Sequence, residues 1–296
     1  MLNRKEGADE GFWLPNILQF SFGALLGSTF VFYLRSATLS VSWPFLVLML
    51  AVILANEFFQ KKYAKLAFQL SFLYFSIFSF FIFLVPLVVK DIGPEIFVLS
   101  GGASLLTLWI YIAILGKFAT QKFLESRTHI WVFVTAIFFA VNVLYFTNLI
   151  PPIPLSLKDA GIYHALSKDS QGRYLVVGEK QGLFDFLYLR KRIHLQEGET
   201  LYAYTSIYSP GSLNTDIAHV WQHKNSDGKW ATVTTIPLHL SGGRSSGFRT
   251  FSKKEAFTAG DWRVDAKTSR GQIIGRINFK IIPTTGNVEL FTQVKE

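Results

Sequence analysis

Cysteine is absent from this chain of 296 residues, which excludes disulfides, thiolate metal sites and cysteine nucleophiles. A domain standing in an oxidising compartment must then be stabilised by its own core. There is no P-loop, and the one His-x-x-x-His spacing, His219 to His223, lacks the glutamate of a zinc-protease helix. No catalytic residue is assigned, no metal or other cofactor is expected, and the chain reads as a non-enzyme. A dense basic block is also missing, so the formal charge of +9 does not read as a nucleic-acid stripe.

What the first half has in abundance is apolar length. Half of all residues are hydrophobic and 29 are Phe, concentrated before Pro151. A hydrocarbon core of about 30 Å needs about 20 apolar residues in helical form. Five stretches qualify: Phe12 to Leu34, Val41 to Phe59, Leu66 to Val89, Ile96 to Leu115 and Ile130 to Ile150. Short polar links join them, so successive helices are expected as antiparallel neighbours. Acidic residues before the first run, its length and the lack of a small-residue cleavage site favour a retained span over a signal peptide.

Orientation follows from Lys and Arg on alternate sides of these runs. Arg4, Lys5, Lys61, Lys62, Lys65, Lys117, Lys122 and Arg127 fall on one side, and only Arg35 and Lys90 on the other. The N-terminus is expected in the cytoplasm and the region after the fifth span outside it. Ionisable residues at membrane depth are scarce. Glu57 reads as an interfacial neighbour of Lys61, which disfavours an ion-coupled transporter. Gly23 and Gly27, Gly101 and Gly102, and Ala136 and Ala140 offer small-residue patches for close helix packing.

At Pro151-Pro152-Ile153-Pro154 the pattern breaks, as proline cannot continue the helix. The expected division is a transmembrane bundle over 1–150, a Pro-rich exit linker over 151–160, a β domain over 161–283 and a tail over 284–296. Within the β domain, Trp262, Val264 and Ala266 alternate with Arg263, Asp265 and Lys267, and Phe279 and Ile281 with Asn278 and Lys280. Seven or eight short strands with legible turns point to an immunoglobulin- or fibronectin-like antiparallel sandwich. The fold class is thus a membrane α-helical bundle followed by an all-β sandwich.

The exit Leu149-Ile150-Pro151-Pro152-Ile153-Pro154 and the phrases His219-Val220-Trp221, Gly247-Phe248-Arg249-Thr250, Gly260-Asp261-Trp262-Arg263-Val264-Asp265 and Gly271-Gln272-Ile273-Ile274-Gly275-Arg276-Ile277 resemble a family of bacterial multi-span membrane proteins. Their C-terminal module is domain-of-unknown-function family 2914. The resemblance implies a bacterial envelope setting, with the chain in the cytoplasmic membrane and its β module outside. It implies no reaction and no ligand.

Residues 155–296 carry nineteen Lys/Arg against thirteen Asp/Glu, a mild attraction for anionic polymers or headgroups. The loop from Ser241 to Gly247 with Arg244, followed by Arg249, could hold a carboxylate, phosphate or sugar, and Trp230 beside a turn could stack on one. Arg244, Arg249 and Trp230 are therefore the candidate ligand-binding residues, with an envelope protein or anionic glycan as partner beside the lipid bilayer. Asp261 and Asp265 read as solvated neighbours of Arg263 rather than a glycosidase pair. The leading expectation is an envelope recognition or scaffold protein. The alternative is a small-solute or lipid transporter, or an intramembrane enzyme, whose bundle carries the activity while the sandwich regulates it.

Overall fold

The computed structural model describes residues 6–58, 66–118, 120–180, 191–209, 214–241 and 247–295. The chain divides into two compact units, Met1–Pro154 and Leu155–Glu296. Helices α1 (Glu6–Ser36), α2 (Leu39–Phe58), α3 (Leu66–Val89), α4 (Pro94–Phe118) and α5 (Thr120–Phe146) build the first. Among the described residues, Leu66–Val89, Pro94–Ile114 and Leu124–Phe146 are long and apolar enough to cross a membrane, and Val41–Leu54 is a shorter apolar helix. The polar start of α5, Thr120 to His129, is helical ahead of its apolar run. That helix stops at a left-handed Asn148 (φ 58°). The Asn148 and Leu149 amides then donate back to the Tyr145 and Leu144 carbonyls, each at 3.0 Å, closing a Schellman turn.

Helix α3 is the hub of this unit, in contact with α1, α4 and α5. Its Phe78 meets Phe97 of α4 at 5.9 Å and Phe138 of α5 at 6.0 Å, while Phe97 stacks on Tyr145 at 3.6 Å. Tyr33 of α1 donates its hydroxyl to the Ser79 carbonyl at 3.3 Å. Several serine hydroxyls turn inward on their own helices: Ser71, Ser76 and Ser100 donate to carbonyls one turn back at 2.6, 2.8 and 2.7 Å. In an apolar surrounding such groups must find an internal acceptor.

The small-residue patches divide. A side chain on Gly101 would meet the rings of Phe138 and Phe78 at 3.4 and 3.5 Å, whereas Gly27 and Gly102 face open space. Gly23 is half-buried, and Ala136 and Ala140 are exposed. Ala140 borders an apolar groove of about 320 Å³ that Leu48, Phe72 and Ile137 also line. The described side chains of the unit also leave Leu99, Trp109, Phe139 and Val143 exposed.

The Pro-rich exit differs from the expected extended linker. Ile150 and Ile153 belong to the bundle core, and the Ile153 amide donates to the Pro151 carbonyl at 2.8 Å. Strand β1 (Ser156–Tyr163) already begins inside the stretch expected as linker.

Ten further strands follow: β2 (Ala165–Lys168), β3 (Tyr174–Glu179), β4 (Lys191–Leu195), β5 (Leu201–Tyr208), β6 (Asn214–Lys224), β7 (Trp230–Ser241), β8 (Phe248–Lys254), β9 (Gly260–Thr268), β10 (Ile273–Pro283) and β11 (Leu290–Lys295). They form sheets of order β1-β5-β8, β4-β10-β9-β6-β7 and β11-β3-β2. The expected tail thus supplies β11, antiparallel to β3 with Thr292 opposite Val177. The five-stranded sheet also holds a parallel pair, β4 with β10, which an all-antiparallel sandwich would lack.

The first two sheets share one core. Trp221, Trp262, Val264 and Phe279 of the five-stranded sheet pack with Ile162, Leu201 and Ala203 of the three-stranded one. Close approach is set at Gly275, where an added side chain would collide with Leu157. On its other face the β1-β5-β8 sheet places Tyr163 and Tyr204 against Tyr174 and Val176 of β3, so this middle sheet is covered on both sides.

Replacing Gly101 by Leu should lower the melting temperature of the detergent-solubilised protein, since overpacking a filled site costs about 1–3 kcal/mol. Gly102→Leu, facing open space, should leave it near the parent value. Thermal scans of both variants check this.

Candidate functional site

The pleat that buries Trp262 and Val264 turns Arg263, Asp265 and Lys267 to the opposite face of the five-stranded sheet. Register places Gln222 of β6 and Asn278 of β10 beside Arg263, and Arg276 beside Asp265. On this face Arg276 grips Asp265 bidentately, Nε to Oδ1 at 2.6 Å and Nη2 to Oδ2 at 2.9 Å, with Lys267 Nζ 3.6 Å from Oδ2. Asp265 is fully buried, which corrects its reading as a solvated neighbour of Arg263. A charge removed from water requires a partner this close.

Arg263 is held differently. Its Nε donates to Gln222 Oε1 at 2.6 Å, Gln222 Nε2 donates to Thr232 Oγ1 at 3.1 Å, and its guanidinium lies 4.4 Å over the Trp230 ring. Among the described residues it forms no ion pair. Burial, and then the nearby Arg276 cation, pull its pKa below the usual guanidinium value.

Of the sequence candidates, Arg244 lies outside the described residues, as do the neighbouring 242–246. Gly243 to Gly247 reads G-x-S-x-G, yet it joins strand β7 to strand β8, whereas a nucleophile elbow leads into a helix. Arg249 donates from Nη1 to the Lys295 carbonyl at 3.1 Å and covers the Tyr174 ring at 5.6 Å. Trp230 opens β7 at the end remote from the loop leading to β8 and Arg249. The two residues sit in different sheets with separate partners, and the structure does not bring them together. What it brings to Trp230 is Arg263, which the sequence shows only as one outward position in an alternating strand.

Two polar clusters lie elsewhere in this unit. Glu179, at the end of β3, accepts from His164 Nε2 at 3.1 Å, from His194 Nδ1 at 2.9 Å and from the His194 amide at 2.5 Å. Burial works to raise its pKa, but these histidine contacts outweigh it and hold the carboxyl below the usual range. His219 lies at the centre of the shared core, Nε2 2.9 Å from Thr205 Oγ1 and Nδ1 2.8 Å from Ser252 Oγ, which also accepts from Trp221 Nε1 at 3.0 Å. It is fully buried, and that burial lowers its pKa to about 4. Among the described residues no three His, Asp or Glu side chains are grouped to hold a metal ion.

A cleft of about 930 Å³ opens where the β4–β5 turn, the β8–β9 loop and the end of β10 meet, with Glu197, Glu199, Phe257 and Thr284 among its walls. Ala256 in this cleft takes a left-handed φ of 56°, uncommon for alanine. Lys254 Nζ donates to the Glu255 and Ala256 carbonyls at 2.9 and 3.3 Å and covers the Phe257 ring at 5.1 Å. The lysine thereby fixes the loop from within.

Residues 214–281 match the family described as "Protein of unknown function (DUF2914)". This span holds His219, Gln222, Trp230, Arg263, Asp265 and Arg276. No curated protein matches the chain. Among solved structures, an immunoglobulin-like protein from Pseudomonas aeruginosa is similar at 9% identity and TM-score 0.23, over 44% of this chain and 98% of its own. A β-glucosidase from Listeria innocua is similar at 13% identity and TM-score 0.23, over 38% of this chain and 16% of its own. The alkylpurine DNA glycosylase AlkC from Pseudomonas fluorescens, bound to DNA containing an abasic site analog, is similar at 10% identity and TM-score 0.26, over 64% and 53%. Likenesses at these scores fix neither the fold nor the activity of this chain.

Asp265→Asn should destabilise the β unit by about 3–5 kcal/mol, because it removes the fully buried carboxylate that Arg276 grips with two bonds; urea unfolding followed by tryptophan fluorescence reads it. For His219 the folded pKa of about 4 lies below the ordinary value near 6.5. Its contribution is fully present above about pH 6.5 and falls as the pH drops towards 4, by about 3 kcal/mol in total. His219→Gln should lack this component, so the parent-minus-variant stability difference should narrow across that window.

Proposed function

We propose that the chain is an integral protein of the bacterial cytoplasmic membrane, a multi-span member of the DUF2914 group with five spans. Its N-terminus lies in the cytoplasm, and its β unit recognises an envelope partner outside, without catalysing a reaction. Support for the topology is the eight-against-two distribution of Lys and Arg on a unit whose helices include three of spanning length. Support for a sandwich of immunoglobulin or fibronectin type is the core shared between two facing sheets around Trp221 and Trp262. The observation that carries recognition is the outward face of the five-stranded sheet, where Arg263 lies over Trp230 beside the Arg276–Asp265 pair.

In a second reading the bundle transports a lipid or small solute, or acts as an intramembrane enzyme, and the β unit regulates it. The apolar groove beside Ala140 favours a lipid over a polar solute there. Cells producing the full chain or residues 1–154 separate these readings. Under the first, loss of the β unit abolishes capture of envelope material by the purified protein; a phenotype retained by residues 1–154 alone favours the second. Protease added to intact spheroplasts should cleave the β unit, and protection would overturn the topology.

A further inference from the structure

The recognising face can be specified further, on the reading that the β unit binds an envelope partner. We propose that the outward face of the five-stranded sheet binds a polysaccharide bearing sugar carboxylates, with Arg263 as the carboxylate-binding residue and Trp230 as its platform.

The argument begins from an imbalance. Both oxygens of Asp265 are already engaged by Arg276, with Lys267 close by, and Asp261, the other outward carboxylate of β9, stands opposite Lys280. Arg263 is half-buried and without an ion pair among the described residues. Its planar fork is immobilised by Gln222 at one edge and by the indole beneath. Such a fork suits a carboxylate, which accepts two parallel N–H donors. The depressed affinity of Arg263 for its proton, from burial and from Arg276, is relieved by an arriving anion.

The rest of the face selects the carrier. Outward positions recur at about 7 Å along each strand: Asn278 lies beside Arg263 on one side, Gln222 and then the exposed Thr232 on the other, with Lys280 exposed farther along β10. The Asn278 amide and the Thr232 hydroxyl match sugar hydroxyls. A protein partner would need a cluster of apolar anchors, and Trp230 is a single aromatic already covered by a guanidinium.

The test uses the full chain in nanodiscs of zwitterionic lipid, titrated calorimetrically with oligogalacturonate and with the same oligomer fully methyl-esterified. The acid should bind and the ester should not. Arg263→Gln should weaken the acid about tenfold or more, the scale of a charged hydrogen bond. Trp230→Leu should also weaken it, while Lys180→Ala, which removes the same charge from an exposed residue at the end of β3, should not. Urea unfolding of each variant verifies that the β unit remains folded. Equal binding by parent and Arg263→Gln overturns the site and leaves recognition standing. Equal binding of acid and ester, or none of either, overturns the carboxylate assignment. Arg263-dependent capture of phosphatidylglycerol vesicles without binding of the acid assigns the face to lipid headgroups instead and also overturns it. Parent chain that captures neither these probes nor envelope extract counts against the recognition reading itself.

Discussion

Burying Trp221, Trp262 and Phe279 in one core fixes almost everything else in the β unit, because a strand has period two. Once Trp262 and Val264 point inward, Arg263 and Asp265 must point outward. Once Trp221 points inward, so does His219, two residues earlier, and Gln222 lies on the outward face beside Arg263. Slipping β9 by a residue would move Asp265 into the apolar core, away from Arg276, and expose Trp262. Core and outward face are thus two readings of one register.

The same constraint explains why a histidine is tolerated at the sandwich centre. His219 reaches hydroxyls on both neighbours within the facing sheet, Thr205 of β5 and Ser252 of β8. Those strands are paired with Ala203 opposite Ser252, so the two hydroxyls are delivered to the ring from adjacent strands. A neutral ring satisfies both without a counter-charge. In the helical unit several serine and threonine hydroxyls return to their own backbone, while rings around Phe78 and the Tyr33 hydroxyl make contacts between helices.

The helices were legible because apolar length is a one-dimensional signal. The start of α5 was not, since Thr120 to His129 is polar and its helical backbone shows no apolar period. In the β unit the alternation in β9 was readable and holds, yet β4 and β11 were missed. Lys191-Arg192 reads as a solvated turn, but Ile193 and Leu195 reach the core. Residues 290–295 are mostly exposed, so their pairing with β3 leaves no buried stripe to read. The site was half legible. Trp230 and the cationic character could be named, while the identity of the arginine depends on which strands are neighbours, and no single-strand pattern contains that. In sequence Arg249 stands out and Arg263 does not, because Arg249 follows the glycine-serine loop. Its partners, the Lys295 carbonyl and the Tyr174 ring, belong to β11 and β3.

The Arg276–Asp265 pair is weak ground for stability, because an apolar pair of similar size in a buried site often serves as well. Its more specific effect is on Arg263. By engaging both oxygens of Asp265, Arg276 leaves that carboxylate only a partial counter-charge to the guanidinium that lies over Trp230. The geometry is that of a site whose internal anion is already committed and whose remaining cation is held rigid by groups that carry no charge, an amide and an indole. Among the described residues Arg263 pairs with neither carboxylate two residues away on its own strand, Asp261 or Asp265, and lies instead over the ring.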